Sequence, residues 1–259
     1  MKKFAVLLLI PLLLFTTGCW KKETKTAIEQ IKEKDILVVG VKTDSKPFGF
    51  ISKKTGNNAG FDIDVAKAIA QDILGSERKI KFVEVTPNTR IEVLTSEQVD
   101  IVVATMSIVP QREYLIDFSK PYYVAGQTAV VKEDSNIYAF ADLRKKTTIV
   151  VLGTTAEKNI RRIIPTARII GYKTYPEAFQ AFLDGKGDAI STDDVILSGF
   201  LHEHKGYRML KNKISKELYA VGMKQRENDT SLKSSIDIII TRMAKDGSLK
   251  ELKQKWKLH

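Results

Sequence analysis

The sequence predicts an α/β fold of two lobes, each on a mostly parallel sheet, joined by a two-strand hinge. Three observations carry this. Apolar runs of strand length alternate with helices bearing one apolar stripe, the pattern of a sheet covered on both faces. The alternation comes in two sets, about 35–124 and 129–217. Extended stretches, "GQTAVV" and "ELYAVGM" (217–223), follow the first and second set. The chain therefore leaves a first lobe, builds a second and returns. Lobe 1 is assigned 35–124 and 221–259, lobe 2 129–217, with a cleft between them. A length of 259 residues exceeds what one compact core usually fills.

Each element has its own signal. "ILVVGV" (36–41) is a continuous apolar run, as in a buried parallel strand. In "GFDIDVAKAIAQDILG" the apolar residues Val65, Ile69 and Ile73 recur every four positions, giving a helix with one buried stripe. Asp62 or Asp64 is its expected cap and Gly75 its stop. "KIKFVEV" reads as a strand, "TRIEVLTSEQ" as a helix and "DIVVATM" as a strand. In the second set "TTIVVL", "ARIIGY" and "DAIST" are strands, with "AEKNIRRII" and "YPEAFQAFLDG" as the helices between them. The C-terminal stretch from Asp229 reads as two helices divided by "KDG".

The first residues stand apart. Two lysines precede an apolar run from Phe4 to Phe15, then small residues lead to Cys19. Residues 1–18 are expected to be a signal peptide, the run being too short for a permanent membrane span. The small residues before a lone cysteine resemble a bacterial lipobox, in which the cysteine is acylated and anchors the chain to the membrane. Thr16 stands where a leucine is usual. Residues 19–34, polar and charged, are expected to be a tether.

Composition narrows the function classes. Cys19 is the only cysteine, which excludes intramolecular disulfides and cysteine metal clusters. Of the three histidines, His202 and His204 lie in a polar stretch with no third ligand nearby, so no metal or other cofactor is expected. The net charge of +11 suits anionic partners. The basic residues are spread along the chain without an aromatic-interleaved motif, so nucleic acid is not expected. The protein is expected to be a monomer.

In open α/β sheets ligands sit beyond the carboxyl ends of the strands, near helix N-termini. Four segments occupy such ends: Lys42 to Ser45; Thr105, Ser107 and Arg112; Gly153, Thr154 and Thr155; and Asp193 with Asp194. Singly, each has an ordinary explanation. Arg112 beside Glu113 reads as a surface ion pair, and "GTT" and Asp193 read as helix caps. Their joint placement at strand ends points to one site.

The ordered motifs "PFGF", "GFDIDVAKAIA", "VDIVVATMSIVPQREYLIDFSKPYY", "LGTTAEKNI", "GDAISTDD" and "KQKW" cover about residues 35 to 258. Together they resemble the substrate-binding proteins of amino-acid ABC transporters, with the type II periplasmic-binding-protein fold. The resemblance implies a free amino acid as ligand and an ABC transporter permease as partner. It implies that Arg112 takes the α-carboxylate with Thr105, Ser107, Thr154 and Thr155, and that Asp193 takes the α-ammonium. Val109 departs from the threonine usual in the arginine motif. Relatives that take lysine or arginine tend to carry an acid just after the first strand, where Lys42 stands here. Lys42 and Arg90 would then form a second cationic pocket, so glutamate or aspartate is the expected ligand. The alternatives are glutamine or another polar amino acid, or an exported enzyme of the same fold such as a prephenate-type dehydratase.

Overall fold

The computed structural model describes residues 25–258. The expected signal peptide, with Cys19, lies outside the described residues.

The chain opens with helix α1 (Ala27–Lys34), then β1 (Leu37–Val41) and a small antiparallel sheet of β2 (Asp44–Ser45), β3 (Gly49–Ile51) and β4 (Asn58–Ala59). Next come α2 (Phe61–Leu74), β5 (Ile80–Glu84), α3 (Arg90–Thr95), β6 (Ile101–Val102), α4 (Pro110–Glu113) and β7 (Ile116–Phe118). The crossing strand β8 (Tyr123–Ala125) leads into β9 (Gln127–Lys132), β10 (Thr147–Val151), α5 (Thr155–Ile163), β11 (Arg168–Tyr172), α6 (Tyr175–Leu183), β12 (Ala189–Asp193), α7 (Asp194–Glu203) and β13 (Tyr207–Met209). The chain returns through β14 (Glu217–Tyr219) to β15 (Gly222–Lys224), α8 (Ser231–Lys245) and α9 (Ser248–Lys255).

The two five-stranded sheets run β5-β1-β6-β15-β7 and β11-β10-β12-β9-β13. In each, the outer strands share one direction and a single strand is reversed, β15 in the first and β9 in the second. Both reversed strands are the first to follow a crossing, so they enter their sheet from the hinge side. The crossings β8 and β14 pair antiparallel, Tyr123 opposite Tyr219, and form the two-strand hinge.

Helices cover both faces of each sheet. In lobe 1, α2 and α8 bury Ile63, Ile69, Ile236 and Ile240 against β1, while Leu94 of α3 packs on the opposite face. In lobe 2, Phe182 and Leu197 fill one face and Ile160 and Leu143 the other.

Two local expectations need correction. Residues 27–34, expected in the tether, form a helix docked on lobe 1. Thr26 and Glu29 form a capping box, and α1 buries Ala27 and Ile31 in the lobe 1 core. In "AIEQIKEK" the apolar residues are only Ala27, Ile28 and Ile31, too few to read as a helix by period. Asp62 and Asp64 do not cap α2, whose N-cap is Gly60. Asp62 lies within the first turn, fully buried, and holds a neighbouring loop instead.

Candidate functional site

Three buried cations reach the cleft from lobe 1. Lys42 follows the last residue of β1 and is 1% exposed. Its ammonium stands 4.6 Å from the ring centroid of Tyr175, on lobe 2. It has no ion pair or hydrogen bond to another side chain among the described residues. Burial is the main cause that holds its pKa down to about 8. Arg90, at the start of α3, is 2% exposed. It donates from Nη1 to the carbonyls of Ala104 (2.6 Å) and Thr105 (3.4 Å), and its Nε has no partner. Burial pushes its pKa down.

These anchors fix the loop after β6. Thr105 has φ +43°, a left-handed conformation that a β-branched residue rarely adopts and that costs on the order of 1–3 kcal/mol. The Thr105 N–H donates to Asp62 Oδ2 at 2.8 Å, and Arg90 grips the carbonyl side. Tyr122 donates its hydroxyl to Asp62 Oδ1 at 2.8 Å. Burial raises the Asp62 pKa to about 6. Asp62 and Arg90 thus hold a strained turn at the cleft from opposite sides.

Arg112, on the four-residue α4, is 6% exposed, so the surface ion pair with Glu113 does not form. Its Nη1 donates to Ser107 O at 2.8 Å and its Nη2 to Gly153 O, in lobe 2, at 3.2 Å. Two of the five N–H donors of a guanidinium are thereby used. Burial, with Arg90 second, works against its charge.

Lobe 2 supplies one acid and a set of hydroxyls. Thr154 caps α5, accepting from Glu157 N at 3.3 Å and donating to Val151 O at 2.6 Å. Gly153 before it has φ +76°, and a Cβ there would stand 2.4 Å from Asn88 Oδ1 of lobe 1. Asp193 ends β12 at the N-cap position of α7, but its side chain caps nothing. Oδ2 accepts from the Tyr219 hydroxyl, on hinge strand β14, and the buried Oδ1 has no partner. Burial first, then Glu217, raises its pKa to about 7.

Seven of the eight sequence-predicted binding residues line one small cavity: Lys42, Arg90, Thr105, Ser107, Thr154, Thr155 and Asp193. Arg112 borders it through Ser107 rather than lining it. Sequence reasoning missed Pro87, Tyr175 and Thr192 in the lining. Thr192 stands beside Asp193 and was within reach of the same strand-end signal. Tyr175 carried none, because its role depends on the other lobe: its N–H donates to Asp44 Oδ2 at 3.2 Å across the cleft. The lobes also meet through an ion pair between Lys46 and Glu203 at 2.8 Å. The cleft is closed. The cavity offers donors from buried cations on one side and an unpartnered carboxylate oxygen on the other, which suits a small zwitterion.

Residues 37–259 match the model of Bacterial extracellular solute-binding proteins, family 3. The chain is 39% identical over 237 residues to the ABC transporter glutamine-binding protein GlnH of Bacillus subtilis, covering 91% of this chain and 86% of that one. It is 41% identical over 207 residues to the glutamine-binding protein of Geobacillus stearothermophilus, covering 78% and 79%. Among solved structures, a cysteine-binding protein from Campylobacter jejuni superposes with TM-score 0.85 at 33% identity, covering 90% of this chain and 93% of that one.

Proposed function

The chain belongs to the bacterial extracellular solute-binding proteins of family 3, and from that premise we propose that it captures free glutamine in the cleft and hands it to the permease of an ABC transporter. The observation that carries the reading is that Asp193, whose buried Oδ1 has no partner, lines the same cavity as the lobe 1 cations Lys42 and Arg90. An α-ammonium satisfies the first and an α-carboxylate the second. A buried charge left unmatched is costly, so a ligand that pairs both ends stabilises the closed form over the open one.

Glutamine replaces glutamate or aspartate as the favoured ligand for two reasons. The two relatives named above, 39% and 41% identical, are glutamine-binding proteins. The second cationic pocket is also weaker than the sequence suggests. Burial lowers the pKa of Lys42, and Arg90 is engaged with two backbone carbonyls. In this reading Lys42 donates to the side-chain carbonyl oxygen of glutamine.

Binding without turnover is favoured over the dehydratase-like alternative. The spare acids Glu113 and Asp194 do not line the cavity. Asp194 pairs with Lys213 and accepts from Gly126 N at 3.1 Å and Val195 N at 2.9 Å, which makes it part of the hinge region's scaffold.

Calorimetry against the free amino acids tests the proposal. Glutamine is expected to bind most tightly, glutamate more weakly, and lysine and arginine least, with the bound ligand recovered unchanged. Glutamate binding as tightly as glutamine would restore the acidic-ligand reading, and loss of the ligand's amino or carboxyl group on incubation would restore the enzyme.

A further inference from the structure

The positive charge of lobe 2 is concentrated in one stretch. Residues 141–173 hold eight basic and two acidic side chains, whereas the rest of 126–216 holds seven basic and eight acidic. The fold gathers this stretch at one pole. Arg144, Lys145 and Lys146 lead into β10, Arg161 and Arg162 occupy the last turn of α5, and Arg168 opens β11. Because α5 runs back against its parallel strands, its C-terminus returns to the strands' N-terminal end. Backbone bonds from Lys145 N to Thr166 O (3.1 Å) and from Arg168 N to Lys146 O (2.8 Å) tie the segments together. Thr154 and Thr155 lie at the other end of β10, so the pole faces away from the cleft by about 16 Å, the length of five strand residues.

The acids at this pole are few beside its cations: Asp184 pairs with Lys186, and the exposed Glu133 and Asp134 stand two strands away, beyond the end of β9. Asp142 accepts from Tyr138 N and Ala139 N, and Asp188 accepts from Thr147 N. Of the six cations only Arg161 has an ion pair among the described residues, with Glu157 at 3.3 Å. Arg162 bonds the neutral Asn159. Five of the six are exposed and Lys146 is half-buried. Ile163, 40% exposed, and the exposed Pro165 sit among them.

We propose that this basic pole of lobe 2 is a docking surface for an anionic lipid bilayer. The cations are spread along two strand starts and a helix end rather than converging on a cavity, which suits an extended array of anionic headgroups better than one small anion. Exposed apolar side chains ringed by cations are the pattern of a surface that rests at a bilayer interface. The proposal is independent of which amino acid the cleft holds.

The experiment is co-sedimentation of the chain beginning at Lys21, which carries every strand and helix of both lobes but no leader or acyl site. Vesicles containing phosphatidylglycerol are compared with purely zwitterionic phosphatidylcholine vesicles. Binding to the anionic vesicles alone is expected, weakening as salt rises toward physiological strength. The triple variant Arg144→Gln, Lys145→Gln, Lys146→Gln is expected to lose on the order of 100-fold in partitioning, from roughly fivefold per basic side chain near a charged leaflet. The matched lobe 1 triple Lys32→Gln, Lys53→Gln, Lys54→Gln is expected to bind like the parent, and both variants to retain amino-acid binding. Equal partitioning to the two vesicle types, or equal losses in the two triples, overturns the proposal. So does binding to a soluble poly(glycerol phosphate) without binding to anionic vesicles.

Discussion

The two lobes contribute opposite halves of the site. Lobe 1 brings Lys42, Arg90 and Arg112; lobe 2 brings Asp193 and the hydroxyls of Thr154, Thr155 and Thr192. In lobe 1 the buried acid, Asp62, spends both oxygens on Tyr122 and Thr105. In lobe 2 the buried acid keeps one oxygen free. Of the residues that line the cavity, the cations Lys42 and Arg90 come from lobe 1 and the acid Asp193 from lobe 2, so a zwitterion is matched only when the two come together. Recognition and closure are then one event.

The largest expected effect removes lobe 1's share. Arg112→Met is expected to cut affinity for every α-amino acid by ~2–5 kcal/mol, roughly 30- to 4000-fold, because it leaves a buried carboxylate unpaired. Thermal unfolding of the ligand-free form checks that the variant is folded. Unchanged affinity in calorimetry would show that lobe 1 holds the carboxylate elsewhere.

Next comes lobe 2's share, read through pH. Asp193 titrates near 7 in the ligand-free closed form, raised from 3.8. Between those values the folded state holds a proton that the unfolded chain has released. Asp193's contribution to the stability of the ligand-free form therefore falls as pH rises through that window. Ammonium binding needs the carboxylate, so affinity moves the other way and drops as pH falls below about 7, approaching tenfold per pH unit. Above about 8, loss of charge on Lys42 is expected to weaken glutamine again. Asp193→Asn should bind weakly and lose the acid limb. An acid limb that survives in Asp193→Asn would assign it to another group.

The smallest effect concerns a contact that spans both lobes. Lys46 and Glu203 pair across the mouth of the cleft with side chains 46% and 50% exposed. Such a pair is worth ~0–1 kcal/mol. Lys46→Met is expected to change affinity by less than about fivefold, and the change should shrink at high salt. A larger, salt-insensitive loss would mean that this pair, and not the ligand, holds the lobes together.

The fold was legible because alternation of buried strand and striped helix is a local property. So were the strand-end residues, since β1, β6, β10 and β12 each stop where the polar motif begins. What stayed hidden depends on contacts distant in sequence. Asp62 looked like a cap because nothing nearby shows that Thr105 and Tyr122 converge on it. Arg90 was legible as a pocket cation, but its grip on the Ala104 and Thr105 carbonyls was not, because those partners lie on another strand end. Tyr175 looked like an ordinary helix residue because Asp44 and Lys42 stand in the other lobe. Helix α1 was read as tether because its three apolar residues gain meaning only against the lobe 1 core.

The double crossing also sets an order of assembly. Every strand of the lobe 2 sheet lies between Gln127 and Met209, one unbroken stretch of chain. The lobe 1 sheet is interrupted: β15, at 222–224, sits between β6 and β7 and must wait for the whole of lobe 2 to be made. Until it arrives, β7 has no partner in that sheet, and α8 and α9 are absent from the lobe 1 core. A chain emerging N-terminus first can finish its second lobe while its first remains open, so the part begun earliest is completed last.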